Sequence, residues 1–160
     1  MIITDYKIMD SKIKSAEKGF YSVCAIPKGK IIAFPDNINK IYTDDEVNNF
    51  EKGTLEYNSS VRWFEKYYSH STEWSDECYI NHSFNPNCLW HMGFIFALQD
   101  IKPDEEITID YRFLLQEGEN PGFKDSATNL EIKGFPWSEA LRRSSLMLSK
   151  ILSRQKENHA

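Results

Sequence analysis

"YINHSFNPN", residues 79–87, sets the apolar pair Tyr79-Ile80 before a cluster that neither strand nor helix propensity would select. Asn81, His82, Ser83, Asn85 and Asn87 gather around Pro86. A solvent loop accounts for such a run, and so does a site that needs several fixed hydrogen-bonding groups. The rest of the chain has to decide between them.

Downstream, "LWHMGFIFALQDI" (89–101) reads as strands around a turn at Gly93, Pro103 and Asp104 mark a further turn, and "EEITIDYRFLL" (105–115) begins a β-branched strand. Upstream, residues 2–34 read as strands and turns. "GFYSVCAI" (19–26) alternates bulky with smaller groups, Pro27 and Gly29 signal turns, and "IIAF" (31–34) is a short apolar strand. "TDDEVNNFEKG" (43–53) predicts a short helix, with Thr43 and Glu46 as a capping box, Val47 and Phe50 on one face, and Gly53 closing its end. "SSVRWFEKYY" (59–68) reads as another short helix with Val61, Phe64 and Tyr68 on one stripe; strand is the rival reading. "QEGENPGFKDSATN" (116–129) is polar and turn-rich. From Ser138, "SEALRRSSLMLSKILSRQKE" is helical, with Leu141, Leu148 and Leu152 on a core-facing side and Met147 and Ile151 beside it. Many short strands, few helices and no βαβ alternation predict one β-rich domain.

Composition narrows the function classes. A chain of 160 residues with 41% hydrophobic and 14% aromatic content can bury one core. No apolar run has the length that spans a bilayer and Met1–Lys14 lacks a secretory pattern, so no membrane association and a cytoplasmic location are the expectation. Cys24, Cys78 and Cys88 are odd in number and form no CxxC pair, which predicts buried or half-buried free thiols. A net charge of −5 argues against nucleic acid as partner. The acidic runs Asp44-Asp45-Glu46, Asp76-Glu77 and Asp104-Glu105-Glu106 suit a basic peptide, or are ordinary solvated faces. No GxGxxG, GxxxxGK[ST] or GxSxG occurs, and His70, His82, His91 and His159 lack the i,i+4 spacing of a helical zinc pair.

Three stretches taken together change this picture: "KGFYSVCAIPKGKII" (18–32), "YINHSFNPNC" (79–88) and "IKPDEEITIDY" (101–111). In order and spacing they resemble the SET-domain family of protein lysine methyltransferases, whose signature N-H-S-x-x-P-N is matched by Asn81–Asn87 and E-E-[IL]-T-x-D-Y by Glu105–Tyr111. The resemblance covers residues 10–135, and more weakly the C-terminal helix. It implies a β-clip-like fold with a knot-like crossing, in which the "NHS" segment passes under the loop before the tyrosine strand. Residues 1–120 would form the SET domain, with a short helical insert near 43–70. Residues 121–160 would form a cysteine-free segment and a helix packed on the same domain.

The resemblance also implies an activity: S-adenosylmethionine-dependent methyl transfer to the ε-amine of a lysine in a protein or peptide substrate, here a basic one. Asn81 and His82 would hold the amino-acid and adenine ends of the cofactor, and Lys18, Gly19, Phe20 and Tyr21 would lay their backbone along its methionine part. Tyr111 falls on the active-site tyrosine, and Trp90 and Ile109 fall near the two lysine-channel positions that help set how many methyl groups are added. Ser83, Pro86 and Asn87 would shape the turn. Phe135 is the candidate for stacking on adenine, with Trp137 and Phe123 as rivals.

Departures from the pattern motivate a second reading, a catalytically silent SET-fold module that binds a peptide or partner. Glu17 stands where the family's first glycine falls, and Asp104 where a glycine often precedes Glu-Glu. Asp125 and Leu130 stand where many relatives carry zinc-clip cysteines, so no zinc is expected. A third reading is methylation of a small-molecule amine.

Overall fold

The computed structural model describes residues 1–14, 16–36, 38, 40–70 and 73–153. In chain order the first elements are β1 (Tyr6–Asp10), β2 (Lys18–Ser22), β3 (Ile31–Ala33), β4 (Tyr42–Thr43), and the short helices α1 (Asp44–Asn48) and α2 (Leu55–Asn58). There follow β5 (Val61–Phe64), β6 (Tyr67–Ser69), β7 (Asn81–His82), β8 (Cys88–His91), β9 (Phe94–Ala97), β10 (Thr108–Ile109) and the long helix α3 (Trp137–Ser153). Single 3₁₀ turns precede β7 and follow β10. The fold is β-rich, in short strands, with one substantial helix at its C-terminal end.

Strand β2 is the spine. Its alternation puts Phe20 into the core, where it stacks on Tyr6 with centroids 4.6 Å apart, and turns Tyr21 to the opposite face. One edge of β2 pairs antiparallel with β1; on the other, Ile107 N–H donates to Phe20 O and Ser22 N–H to Glu105 O. Residues 105–109 are therefore held from both sides, because β10 pairs in parallel with β7, Thr108 opposite Asn81 and Ile109 opposite His82. Asn87 locks the far end: its side-chain amide donates to Glu106 O at 2.8 Å and accepts from Thr108 N–H at 2.9 Å. This is the contact between the "NHSFNPN" and "EEITIDY" segments that the expected crossing requires.

The core gathers Phe20, Ile32, Cys88 and Ile109 from strands β2, β3, β8 and β10, and Ile80, Ile101, Ile107 and Ile132 from the segments between elements. Strands β3, β9 and β8 form one sheet in that order. Its β8–β9 hairpin turns through Met92 and Gly93, both at positive φ (51° and 85°), the signature of a two-residue type I′ turn. Gly93 is needed for a second reason, since a Cβ there would lie 2.5 Å from Pro35 Cγ.

Several expectations require correction. Helix α1 carries the predicted capping box, Thr43 N–H to Glu46 Oε2 and Glu46 N–H to Thr43 Oγ1, but it ends at Asn48. Gly53 lies beyond it, in the turn before Thr54 caps α2. From Val61 on, the 59–68 stretch is strands β5 and β6 around a turn at Glu65-Lys66, not a helix, and Ser59 caps the end of α2. The working period there is two: Val61 and Trp63 face a cleft, while buried Arg62 points away and donates to Phe113 O and Phe135 O. The supposedly helical insert near 43–70 thus holds a three-stranded sheet, β4–β6–β5, beside its two short helices. The "EEITIDYRFLL" strand is only Thr108–Ile109, because Asp110 accepts from Arg112 N–H and turns the chain into a 3₁₀ turn at Tyr111–Phe113. In α3 the buried side is Ala140, Ser144 and Ile151, with Leu141, Met147 and Leu148 half-buried; Leu152 is 45% exposed. That side packs on β8 and on the 3₁₀ turn after β10. The helix expected beyond Ser153, and His159, lie outside the described residues. Cys88 is buried and Cys78 half-buried, but Cys24 is exposed.

Candidate active site

Tyr111 sits where β10 gives way to the 3₁₀ turn, and two bonds fix it. Its hydroxyl donates to Ile80 O at 2.8 Å, and its backbone N–H donates to His82 Nδ1 at 3.1 Å. Both partners belong to the "YINHS" stretch, which parallel pairing of β7 with β10 brings alongside. Burial, with Cys78 adding to it, pushes the Tyr111 phenol well above its usual range. At neutral pH the hydroxyl keeps its proton, so it acts as a donor and an oriented dipole rather than as a base.

His82 is buried, and burial lowers its pKa against the raising influence of Asp110 and Asp125, with Arg112 lowering it further. A neutral imidazole accepting at Nδ1 carries its proton on Nε2. That Nε2 is buried without a hydrogen-bond partner, 3.7 Å from Asp125 Oδ1.

Asn81 ties the first motif stretch to the second. Its side-chain nitrogen donates to Lys18 O at 2.7 Å and Glu106 Oε1 at 3.0 Å, with Ser11 Oγ at 3.3 Å. The amide's two hydrogens are thereby committed inside the protein, leaving the side-chain oxygen for any further partner. Glu106 also accepts from Ser11 Oγ–H, Lys12 N–H and Tyr21 O–H. Burial alone would raise its pKa, but the bonds from Ser11, Asn81, Lys12 and Tyr21 outweigh it and hold the carboxyl below its ordinary range. Gly19 belongs to the same cluster: a Cβ would stand 2.3 Å from Glu106 Oε1. Phe20 and Tyr21 have fully buried side chains and paired backbones on both edges of β2, so the exposed part of the 18–21 stretch is its Lys18 end.

A cleft of about 510 Å³ opens on the other side of this arrangement. Ile80, Trp90, Ile109 and Tyr111 all line it, so the two positions expected near a lysine channel share one cleft with the tyrosine. Asn81, His82 and Lys18–Tyr21 are not among its walls, which leaves Ile80 and Tyr111 at the boundary between cleft and motif cluster. Phe123, 48% exposed, also lines the cleft and meets the Tyr111 ring edge-on at 6.2 Å. Phe135 lies elsewhere, its ring covered by the guanidiniums of Arg112 (4.7 Å) and Arg143 (4.8 Å) and by the edge of Phe113. Trp137 lies under Arg62.

Among the acidic runs, only Glu77 reaches the cleft. Four of the others do structural work: Glu46 caps α1, Asp76 accepts from Tyr6 O–H, Asp104 pairs with Lys7, and Glu106 anchors the motif cluster.

A model of the SET domain matches residues 17–112. The chain belongs to the SET domain family. No curated protein matches it. SET domains are in general protein lysine methyltransferases that use S-adenosylmethionine. The match starts at Glu17 and ends one residue past Tyr111, so it spans the elements just described. The polar cluster of the opening stretch is accordingly no solvent loop: in this SET domain Asn81, His82 and Asn87 each bind another motif segment.

The donor set at the cleft boundary fits a sulfonium cofactor. Tyr111 hydroxyl and Ile80 carbonyl oxygens are dipoles with negative ends, and the two cations among the described lining residues are Lys40 and the Met1 ammonium, which pairs with Asp36 and Glu77. Sequence reasoning missed Ile80, Trp63, Tyr57, Glu119, Glu106 and Asp125. Of these Ile80 had a local signal, as the residue directly before "NHS", and Glu106 another, as the second acid of the Glu105–Tyr111 signature.

Proposed function

We propose that this SET domain transfers a methyl group from S-adenosylmethionine to the ε-amine of a lysine in a basic protein or peptide segment. The observation that carries the reading is the Tyr111 hydroxyl bonded to Ile80 O at the base of a cleft walled by Trp90 and Ile109. When bound, the cofactor supplies a methyl group made electrophilic by its sulfonium.

The chain's own residues orient and desolvate. Lys18, Gly19, Asn81 and His82 would hold the cofactor's amino-acid and adenine ends, with Asn81 offering its remaining oxygen. Tyr111, its hydrogen engaged by Ile80 O, presents oxygen lone pairs that favour cationic character in the transition state. Trp90 and Ile109 offer apolar walls to the methylene stem of the substrate lysine, and exclusion of water there favours the neutral, nucleophilic amine. Alignment and desolvation are the main demands of such a transfer.

The charge around the cleft supports a basic substrate. Asp36, Glu73, Glu77 and Glu119 line it against two cations among the described residues, Lys40 and the Met1 ammonium, the latter paired with Asp36 and Glu77. Rim carboxylates of this kind select cationic segments more than they tighten binding.

Incubation with radiolabelled S-adenosylmethionine and a pool of basic proteins tests the reading, followed by mass spectrometry of any labelled band. Label on a lysine is the expected result. Absence of label across the pool, together with no calorimetric cofactor binding, would favour the silent module instead.

A further inference from the structure

Asp125 lies in the polar, turn-rich stretch after the matched region, yet its carboxylate is pressed against the site. The side chain is 2% exposed and accepts three hydrogen bonds: Phe84 N–H on Oδ1 at 3.1 Å, and Thr128 N–H and Oγ1–H on Oδ2 at 2.7 Å each. Backbone bonds from Asn129 N–H to Asp125 O and from Asp125 N–H to Leu130 O close the turn around it. The turn at 125–130 is thereby fastened to the loop that follows β7. Burial pushes the Asp125 pKa up, but the bonds from Thr128 and Phe84 outweigh it and keep the carboxylate ionised.

The same Oδ1 faces His82 Nε2 at 3.7 Å, across a buried gap with no other hydrogen-bond partner for that nitrogen. This distance is too long for a hydrogen bond, so the influence is electrostatic. It has one direction. With the proton on Nε2, the positive end of the N–H faces the carboxylate, and Nδ1 is free to accept from Tyr111 N–H, as found. With the proton on Nδ1, a lone pair would face the carboxylate and two N–H groups would face each other. The other charges near His82 are Asp110 and Arg112. These are bound to each other, Arg112 Nε and Nη2 donating to both Asp110 oxygens.

We propose that Asp125 is a positioning residue for Tyr111: its carboxylate selects the Nε2–H tautomer of His82, whose Nδ1 then takes the Tyr111 N–H and fixes where the tyrosine leaves β10. The role in catalysis rests on the reading of Tyr111 given above; the tautomer itself can be measured without it. The turn supports Tyr111 by a second route as well, since Phe123, two residues before Asp125, meets its ring edge.

Histidine ¹⁵N–¹H correlation spectra of the whole protein test this. In the wild type, His82 should show a protonated Nε2 and a bare Nδ1; a proton on Nδ1 overturns the proposal without any variant. In Asp125→Asn, the ratio of Nε2–H to Nδ1–H should fall by about tenfold, and kcat should fall by about tenfold with KM for a peptide unchanged within about twofold. Thr128→Ala loosens the turn and keeps the charge, so its His82 ratio should stay at the wild-type value. A ratio unmoved in Asp125→Asn, or moved as far in Thr128→Ala, would reduce Asp125 to a structural turn residue. A changed tautomer with unchanged kcat would overturn the positioning role. Tyr111→Phe at full activity would sink the catalytic reading alone, with the tautomer result standing.

Discussion

Tyr111 touches the "YINHS" stretch twice, through its hydroxyl to Ile80 O and through its backbone N–H to His82 Nδ1. The two bonds come from opposite ends of one residue and land two residues apart. The Ile80–His82 segment, β7 with the residue before it, therefore holds the tyrosine at both its hydroxyl and its backbone.

Gly19→Ala tests the packing behind this pair. The new Cβ meets the Glu106 carboxylate, whose oxygens already hold Ser11, Lys12, Tyr21 and Asn81. A loss of about 1–3 kcal/mol is expected in denaturant unfolding, because the network can relieve the clash only by breaking bonds. Wild-type stability in Gly19→Ala would show the cluster to be adaptable.

Glu106 should make stability acid-sensitive. Its folded pKa lies below the ordinary 4.5, so its contribution is present above that value and is lost as pH falls through the folded pKa. Glu106→Gln should be less stable at neutral pH by roughly 2 kcal/mol. Its stability should also vary less with pH in that acid window than the wild type's does. Parallel curves for the two proteins would assign the acid loss to other carboxylates.

Trp90 is half-buried and lines the same cleft as Tyr111. If its bulk limits the number of methyl groups, Trp90→Ala should shift the product toward higher methylation, read by mass spectrometry of a reacted peptide. It should also lower stability by about 3 kcal/mol. An unchanged product distribution would move control of multiplicity to Ile109 or to other cleft residues.

Glu73 and Glu77 line one part of the cleft. Replacing both by Gln should raise KM for a basic peptide by about fivefold and leave kcat in place, as rim charges contribute little each. The effect should shrink with added salt. Equal KM values for basic and neutral peptides in the wild type would refute charge-based selection.

Much of this arrangement was legible in the chain because its signals are local. The capping box of α1, the turn at Met92-Gly93 and the "NHSFNPN"–"EEITIDY" pair depend on residues close in sequence or on a specific motif. What stayed hidden depends on partners far along the chain. Arg62 is buried because Phe113 O and Phe135 O accept from it, and nothing within "SSVRWFEKYY" announces those acceptors. Without them, Val61, Phe64 and Tyr68 fit a helical stripe as well as strands. Asp125 reads as a loop residue until Phe84 and His82 stand beside it. Phe135 and Phe123 are both aromatics near the end of the fold, and only packing separates the one covered by arginines from the one open to the cleft.

The most direct measurement is the turnover of Tyr111→Phe on a peptide that the wild type methylates, beside cofactor affinity by calorimetry. The substitution keeps the ring and the N–H bond to His82 and removes only the hydroxyl. The account predicts a fall in kcat of about a hundredfold or more, with cofactor affinity changed by less than about threefold. Turnover at the wild-type rate would contradict it.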